Sequence, residues 1–238
     1  MWKSNKLTKS FLMNIRGGIP FASEQIEVMM RLIRGSNHPV GIFMDVGCGN
    51  GILAAAIIRD YPRASGMMVD FSDAMLSEAK KHLRQFRSQL RFVRADFSNK
   101  KWLRAIGGER FDAVVSGYAI HHQPDQRKRE IFREVFRLLN PGGVFVNIEH
   151  VAPESNWITE LNDDLFVDSL YKYHSRKGQR KTREMILNEF VHRKDKTANI
   201  LAPVALQCDW LRRCGFLDVG CYFKIFELAV FGGRKPFE

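Results

Sequence analysis

The stretch FMDVGCGNG, Phe43 to Gly51, ends a short apolar run on an aspartate and then sets glycine at every second position: Gly47, Gly49 and Gly51. Each glycine costs backbone entropy, so three in succession mark a place where something approaches the main chain closely. The residues before them, GIFMDV, read as a buried strand, and those after, GILAAAIIRD, as an apolar helix. In an open α/β sheet, a glycine loop between strand and helix lies at the carboxyl edge, where ligands bind.

Working outward, strands and helices alternate. SGMMVD is a short buried strand, and SDAMLSEAKKHLRQF carries Met75, Leu76, Ala79, Leu83 and Phe86 on one helical face. LRFVRAD and FDAVVSG are strands, and QRKREIFREVFRLL turns Ile131, Phe132, Val135, Phe136 and Leu139 inward. NPGG is a turn leading into the strand VFVNIEH. Ahead of this series, Ile26, Met29, Met30, Leu32 and Ile33 fall at helical spacing within residues 22–34. The pattern reads as repeated βαβ units around a parallel sheet covered on both faces. The end differs: DWLRRCGF is a short helix, and VGCYFKIF and LAVFGGRK are adjacent strands, most simply antiparallel. A mostly helical insertion, NWITELNDDLFVDSLYKYH and TREMILNEFVH, lies between Pro153 and Pro203.

The chain has 238 residues, of which 45% are hydrophobic, enough for a real core. Its net charge of +11 favours anionic partners, and Lys172–Lys196 alone holds nine Lys or Arg against three Asp or Glu. Cys48, Cys208, Cys214 and Cys221 form no C-x-x-C pair and have no metal-like spacing, so they read as small buried apolar groups and no metal is expected. No apolar run suits a signal peptide or approaches the roughly 20 residues of a membrane span. The expectation is a soluble, cytoplasmic protein.

Two cofactor classes use a strand–glycine–helix edge. A nicotinamide dinucleotide wants G-x-G-x-x-G, with its pyrophosphate on the helix N-terminus, but the third glycine position holds Ile52. The pattern present is G-x-G-x-G, led by Asp45, and a carboxylate there suits a cationic amino-acid group better than a pyrophosphate. DVGCGNG resembles the first motif of the class I S-adenosylmethionine-dependent methyltransferases. That resemblance implies S-adenosylmethionine as cofactor, held by Asp45, Gly47, Cys48, Gly49 and Gly51. It also implies that Asp70, ending the second strand beside Phe71, accepts the ribose hydroxyls. Asp96 would meet the adenine amino group, Phe97 would flank the ring, and Ser116 would run beside the cofactor. LLNPGGVFVNIEH and the C-terminal helix with its strand pair match the family as well, so the resemblance covers all but the insertion. It implies an α/β, Rossmann-like, doubly wound fold: a seven-stranded, mostly parallel sheet with an antiparallel C-terminal strand. The chain reads as one domain, 1–238, with an N-terminal lid at 1–36 and a helical lid insertion at 153–205.

Methyl transfer needs a base only when the nucleophile must shed a proton. SGYAIHHQPD, residues 116–125, puts His121 and His122 at the pocket mouth as catalytic candidates, with Glu149 and His150 as second candidates. SGYA is not the [DN]-P-P-[YF] common in enzymes that methylate nucleic-acid amino groups. The only cysteine near this edge is Cys48, inside the loop, so covalent cytosine chemistry is unsupported. IRGGIPF, 15–21, resembles the segment before the first helix of small-molecule methyltransferases and of the related carboxy-S-adenosylmethionine synthases. The expected function is methyl transfer to a small molecule. The alternatives are a tRNA-modifying methyltransferase or a carboxy-S-adenosylmethionine synthase, and a cofactor-binding protein without activity. The basic stretch reads as a solvated face, or as a match for an acidic small substrate, before it reads as an RNA clamp.

Overall fold

The computed structural model describes residues 16–36, 39–192 and 199–238. Seven strands form one sheet: β1 (Ile42–Val46), β2 (Ser65–Asp70), β3 (Leu90–Arg94), β4 (Phe111–Gly117), β5 (Leu139–His150), β6 (Leu217–Ile225) and β7 (Leu228–Arg234). Their order is β3-β2-β1-β4-β5-β7-β6. The first five are parallel, whereas β7 runs antiparallel to both β5 and β6. The order turns back between β1 and β4, which opens the crevice where α/β sheets take ligands. Register aligns Val46 with Val69 and Ser116, Val69 with Val93, and Ser116 with Asn147. One row of residues therefore crosses five strands, and the glycine loop, Asp70, Asp96 and the His121 turn all lie just beyond it.

Helices α1 (Ala22–Gly35), α2 (Ile52–Asp60) and α3 (Asp73–His82) cover one face. Their Met29, Ile33, Leu53, Ile57 and Leu76 pack with Phe43, Met68, Val115 and Val146. Helices α4 (Trp102–Ile106), α5 (Asp125–Leu138) and α8 (Val204–Cys214) cover the other face. There Trp102, Ile131, Phe132, Val135 and Leu211 pack with Met44, Val69, Val114, Phe145 and Phe231. Burial on both faces is why the inner strands read as continuous apolar runs.

The insertion folds as α6 (Asn156–Arg176) and α7 (Arg183–Phe190), started by the side-chain caps Ser155 and Thr182. Phe166 of α6 stacks on Phe190 at 4.7 Å, and both join Leu170, Ile186, Ile19 and Leu228 in a third apolar cluster. A Cβ on Gly18 would lie 2.6 Å from Leu170 Cδ2, so glycine there allows the close approach of α6. Residues 1–15 of the expected N-terminal lid, and Arg193, Lys194 and Lys196 of the basic stretch, lie outside the described residues.

Several boundaries move. Leu139 opens β5 instead of closing α5, and NPGG is absorbed into that strand with a register shift opposite Phe111 and Ala113. Residues 140–143 have no partner in the β4–β5 register, and Asp112 lies opposite them: its carboxylate accepts Gly41 N–H at 2.8 Å, Ile42 N–H at 2.9 Å and Asn140 Nδ2 at 2.7 Å. Helix α3 ends at His82, so Phe86 falls in a 3-10 turn. Helix α8 begins five residues before DWLRRCGF, directly after Pro203, and α4 has no apolar period long enough to read. Cys48 and Cys208 are buried as expected, but Cys221 is exposed on the edge strand β6.

Helix α5 also buries charge. Arg127 donates to Glu134 through both terminal nitrogens, at 2.8 and 2.7 Å, and Trp102 Nε1 donates to the same carboxylate at 2.7 Å. Arg127 Nε holds the Phe97 carbonyl at 2.8 Å, tying the loop after β3 to α5. Arg127 also pairs with Glu130 at 3.0 Å, so Glu134→Ala leaves the guanidinium one carboxylate and strands the indole N–H. The expected cost is about 2–3 kcal/mol of unfolding free energy by urea titration, below that of a fully unpaired buried charge, with a clearly smaller loss for Glu134→Gln.

Candidate active site

All three loop glycines have positive φ: 70° at Gly47, 53° at Gly49 and 78° at Gly51. That region disfavours any side chain, which explains the glycines before a ligand is considered. Close approach at two of them comes from the protein itself. A Cβ on Gly47 would collide with Ala119, and one on Gly51 would lie 2.5 Å from Leu83 Cδ1. Only at Gly49 is the space open, with no heavy atom within 4 Å. The loop amides are already bonded within the chain. Gly47 N–H and Cys48 N–H both reach the Val69 carbonyl, at 2.8 and 2.9 Å, and Gly51 N–H reaches Cys48 O at 2.8 Å. Such a loop offers a pyrophosphate few donors, so its geometry disfavours a dinucleotide independently of the missing third glycine.

Asp70 completes the lacing. Its carboxylate accepts Gly49 N–H at 3.0 Å and Ser72 N–H at 2.9 Å. Burial pushes its pKa above the usual aspartate range, opposed by those amides. A carboxylate has about four lone-pair positions, so this one retains capacity for ribose hydroxyls. Phe71 follows it, half-buried. Asp96, half-buried, accepts Ser98 N–H at 2.9 Å, and the Phe97 ring sits beside the glycine loop, 3.5 Å from where a Gly47 Cβ would be. The ends of β1, β2 and β3 therefore offer an open glycine, a buried acceptor and an aromatic wall, a set that fits an adenosine. Asp45 is 1% exposed and lies beneath the loop, and Cys48 is 3% exposed in the core. Ser116 turns away from the loop: fully buried, it donates to the Val46 carbonyl at 2.8 Å and ties β4 to β1.

Beyond β4 the chain enters a dense polar cluster. Tyr118, with φ 53°, donates its hydroxyl to Gln25 Oε1 at 2.6 Å, and Gln25 Nε2 holds Pro20 O at 2.9 Å. His121 is 6% exposed; its Nδ1 lies 2.5 Å from Glu149 Oε1, and its backbone N–H donates to Glu149 Oε2 at 3.0 Å. A carboxylate can only accept from these groups, so the proton of the neutral ring sits on Nδ1 and Nε2 carries the free lone pair. His122, half-buried, stacks on His121 with ring centroids 3.9 Å apart. His150 Nε2 lies 2.6 Å from Glu227 Oε2. Glu227 sits in the turn between β6 and β7, and no sequence signal singled it out. Gln25 and Lys128 were missed in the same way. Lys128, fully buried, bonds Asp125 and the Ile200 carbonyl, and Ile200 N–H donates to His121 O at 2.9 Å. Among the described residues, no group of three or more His, Cys, Asp or Glu is placed to hold a metal.

The model of a methyltransferase domain family matches residues 43–143, from the glycine strand into β5. The ubiquinone/menaquinone biosynthesis C-methyltransferase UbiE of Desulfotalea psychrophila is 30% identical over 195 residues, covering 81% of this chain and 71% of the relative. A carboxy-S-adenosyl-L-methionine synthase of Nautilia profundicola is 20% identical, covering 90% of this chain and 85% of the relative. A solved O-methyltransferase family protein from Burkholderia thailandensis superposes with a TM-score of 0.61 at 16% identity. That match covers 95% of this chain but 61% of the other, so the chain spans under two thirds of that protein's length. The chain belongs to the class I S-adenosylmethionine-dependent methyltransferases. The expected cofactor class and sheet architecture are both found, and no helix among the described residues is long and apolar enough to cross a membrane.

The glycine geometry separates two costs. Gly49→Ala carries only the left-handed backbone penalty, about 1–2 kcal/mol. Gly47→Ala adds the collision with Ala119, a further ~1–3 kcal/mol. Urea midpoints at equal m-value are expected to rank wild type above Gly49→Ala, and Gly49→Ala above Gly47→Ala.

Proposed function

We propose that the protein methylates a small molecule, with His121 as the base that takes a proton from the acceptor. The observation that carries this reading is enclosure. Glu149 is fully buried, His121 nearly so, and residues 200–202 cross beside them, bonded to His121 O and to the Ala152 amide. Groups this closely covered are less accessible to a folded polymer than to a compact acceptor. When bound, S-adenosylmethionine supplies an electrophilic methyl group. In this reading Asp70 holds the ribose, Asp96 and Phe97 meet the adenine, and Asp45 with the glycine loop faces the amino-acid end. His121, oriented by Glu149, and His122 stand on the acceptor side, and α6, α7 and the N-terminal segment act as the lid.

The charge of the insertion supports the same choice. Residues 153–205 contain nine Lys or Arg but also eight Asp or Glu. Folding brings the signs together: Arg183 pairs with Asp164 at 2.7 Å and also with Asp168, and Lys181 pairs with Glu189 at 2.5 Å. Two cations of the basic stretch, Lys181 and Arg183, are therefore paired within the hairpin, in keeping with its reading as a solvated face before an RNA clamp. The carboxy-S-adenosylmethionine synthase reading keeps one support, the 20% identity along nearly the whole chain. Incubating the enzyme with methyl-labelled cofactor and a cell extract tests the choice. Label is expected in the small-molecule fraction, and label in nuclease-sensitive polymer would overturn it.

Asp70→Ala is expected to weaken S-adenosylhomocysteine binding by about 1–3 kcal/mol in calorimetry, because ribose hydroxyls lose a desolvated acceptor. The raised pKa of Asp70 also sets a sign. Its stabilising share is fully present below the ordinary aspartate pKa and is lost as pH rises through the raised native value. Asp70→Asn should flatten the stability–pH curve in that window.

His121→Gln is expected to leave cofactor affinity within about twofold and to cut turnover on the labelled acceptor by roughly 10²-fold or more. His122→Ala separates the neighbours: a loss confined to KM marks it as an acceptor-binding group. Full activity in both variants would remove the base from this turn.

A further inference from the structure

Apart from glycine, four of the described residues have a left-handed backbone: Phe21, Tyr118, Asp218 and Phe226. A bulky side chain in that region is strained and persists only where its surroundings hold it there. Two of the four stand at opposite ends of one hydrogen-bond chain. Tyr118 Oη lies 2.6 Å from Gln25 Oε1, Gln25 Nε2 lies 2.9 Å from the Pro20 carbonyl, and Phe21 is the turn residue between Pro20 and α1. The chain runs in one direction only. A carbonyl accepts and never donates, so Pro20 takes the Gln25 amide nitrogen, Oε1 is left facing Tyr118, and the tyrosine hydroxyl must donate. Gln25 is 1% exposed, so water does not stand ready to replace either bond.

At one end of the chain is the segment 16–21 that leads into α1. It lies tight against α6: a Cβ on Gly17 would collide with the Tyr173 ring, one on Gly18 would come 2.6 Å from Leu170 Cδ2, and Ile19 joins the apolar cluster of Phe166 and Leu170. At the other end is the first residue after β4. Tyr118 N–H donates to the Ile148 carbonyl at 2.8 Å. The next residue, Ala119, fills the space beside Gly47, and His121 follows two positions on. Tyr118 also packs against both the cluster beneath α1 and the one beneath α6.

We infer that Tyr118 is a positioning residue that latches the segment 16–21 through Gln25, and so sets how fast S-adenosylhomocysteine leaves after methyl transfer. The inference rests on reading that segment as part of the lid; it does not depend on which residue is the base. Lifting the segment separates Pro20 from Gln25 or Gln25 from Tyr118, and either break leaves a buried polar atom of Gln25 unpaired. Directional bonds therefore add to the apolar contact with α6 in keeping the segment down. Because Ala119 is the next residue, the tyrosine that holds the segment is also the one from which the wall beside Gly47 hangs. Phenylalanine at 118 would fill the same space and lose only the hydroxyl.

The test uses the full chain and S-adenosylhomocysteine. Hydrogen exchange comes first: in wild type, the bound ligand is expected to slow exchange in the peptide covering residues 16–24. No slowing there would overturn the lid reading, and the latch with it. Stopped-flow release then tests the latch itself. Tyr118→Phe and Gln25→Met are each expected to release the ligand about tenfold faster than wild type, with faster exchange at 16–24. The double variant is expected to be no faster than either single one, because both break the same chain. Ligand-dependent slowing in wild type together with wild-type release from a folded Tyr118→Phe overturns the latch and leaves the lid reading standing. Single effects that multiply in the double variant overturn the route through Gln25. Should one variant fail to fold, judged by near-UV circular dichroism, the other decides alone.

Discussion

The carbonyl of Val69 accepts two amides at once, from Gly47 and Cys48, and the next residue, Asp70, accepts a third from Gly49. This lacing of β2 to the end of β1 forces the chain through three left-handed residues in five positions, which only glycine tolerates cheaply. Much else follows from that turn. It caps α2 with Gly51, brings Ala119 and Phe97 against Gly47, and leaves Gly49 as the one of the three loop glycines with open space beside it. The glycines thus serve the protein's own packing first and the cofactor second.

Polar groups on the two sides of the switch point do different work. At the ends of β1 and β2 they are backbone amides already bonded within the chain, with Asp70 as the buried acceptor, which the proposed reading assigns to the ribose. Beyond β4 they are histidines and carboxylates, which that reading assigns to the acceptor. Burial amplifies both, because water does not compete for the same bonds. The division matches what methyl transfer asks of a protein: the sulfonium is already reactive, so alignment and the fate of one proton are what remain to control.

How much of this was legible in the sequence depends on whether each signal is local. The glycine loop, Asp70 at the end of SGMMVD and the His121–His122 pair are short-range patterns, and the structure sets them at neighbouring strand ends as the alternation of strands and helices implied. Glu227 was not legible, because its partner His150 lies 77 residues away and meets it only through antiparallel pairing of β5 with β7. The pairing of the basic stretch was hidden for the same reason. Its counter-charges, Asp164 and Asp168, lie one helix earlier, and only the α6–α7 hairpin brings them across. Ser116 shows the reverse limit: its strand position was right, but its hydroxyl serves the sheet, a direction that alternation alone did not assign.

Lys128 shows what the proposed base at His121 would require of the scaffold. A fully buried ammonium is costly, and Asp125 with the Ile200 carbonyl must offset its desolvation. An apolar residue at this helix position would pack without that cost, so the lysine's contribution has to be specific. It fixes residue 200, whose amide holds the carbonyl of His121, while Glu149 holds the ring and the backbone amide of the same residue. His121 is thereby gripped from the sheet on one side and from the crossing segment on the other, in a turn of three residues that has little rigidity of its own. A base must sit within a few tenths of an ångström of its working position to be effective. A short turn meets that demand only when longer-range bonds such as these remove its freedom.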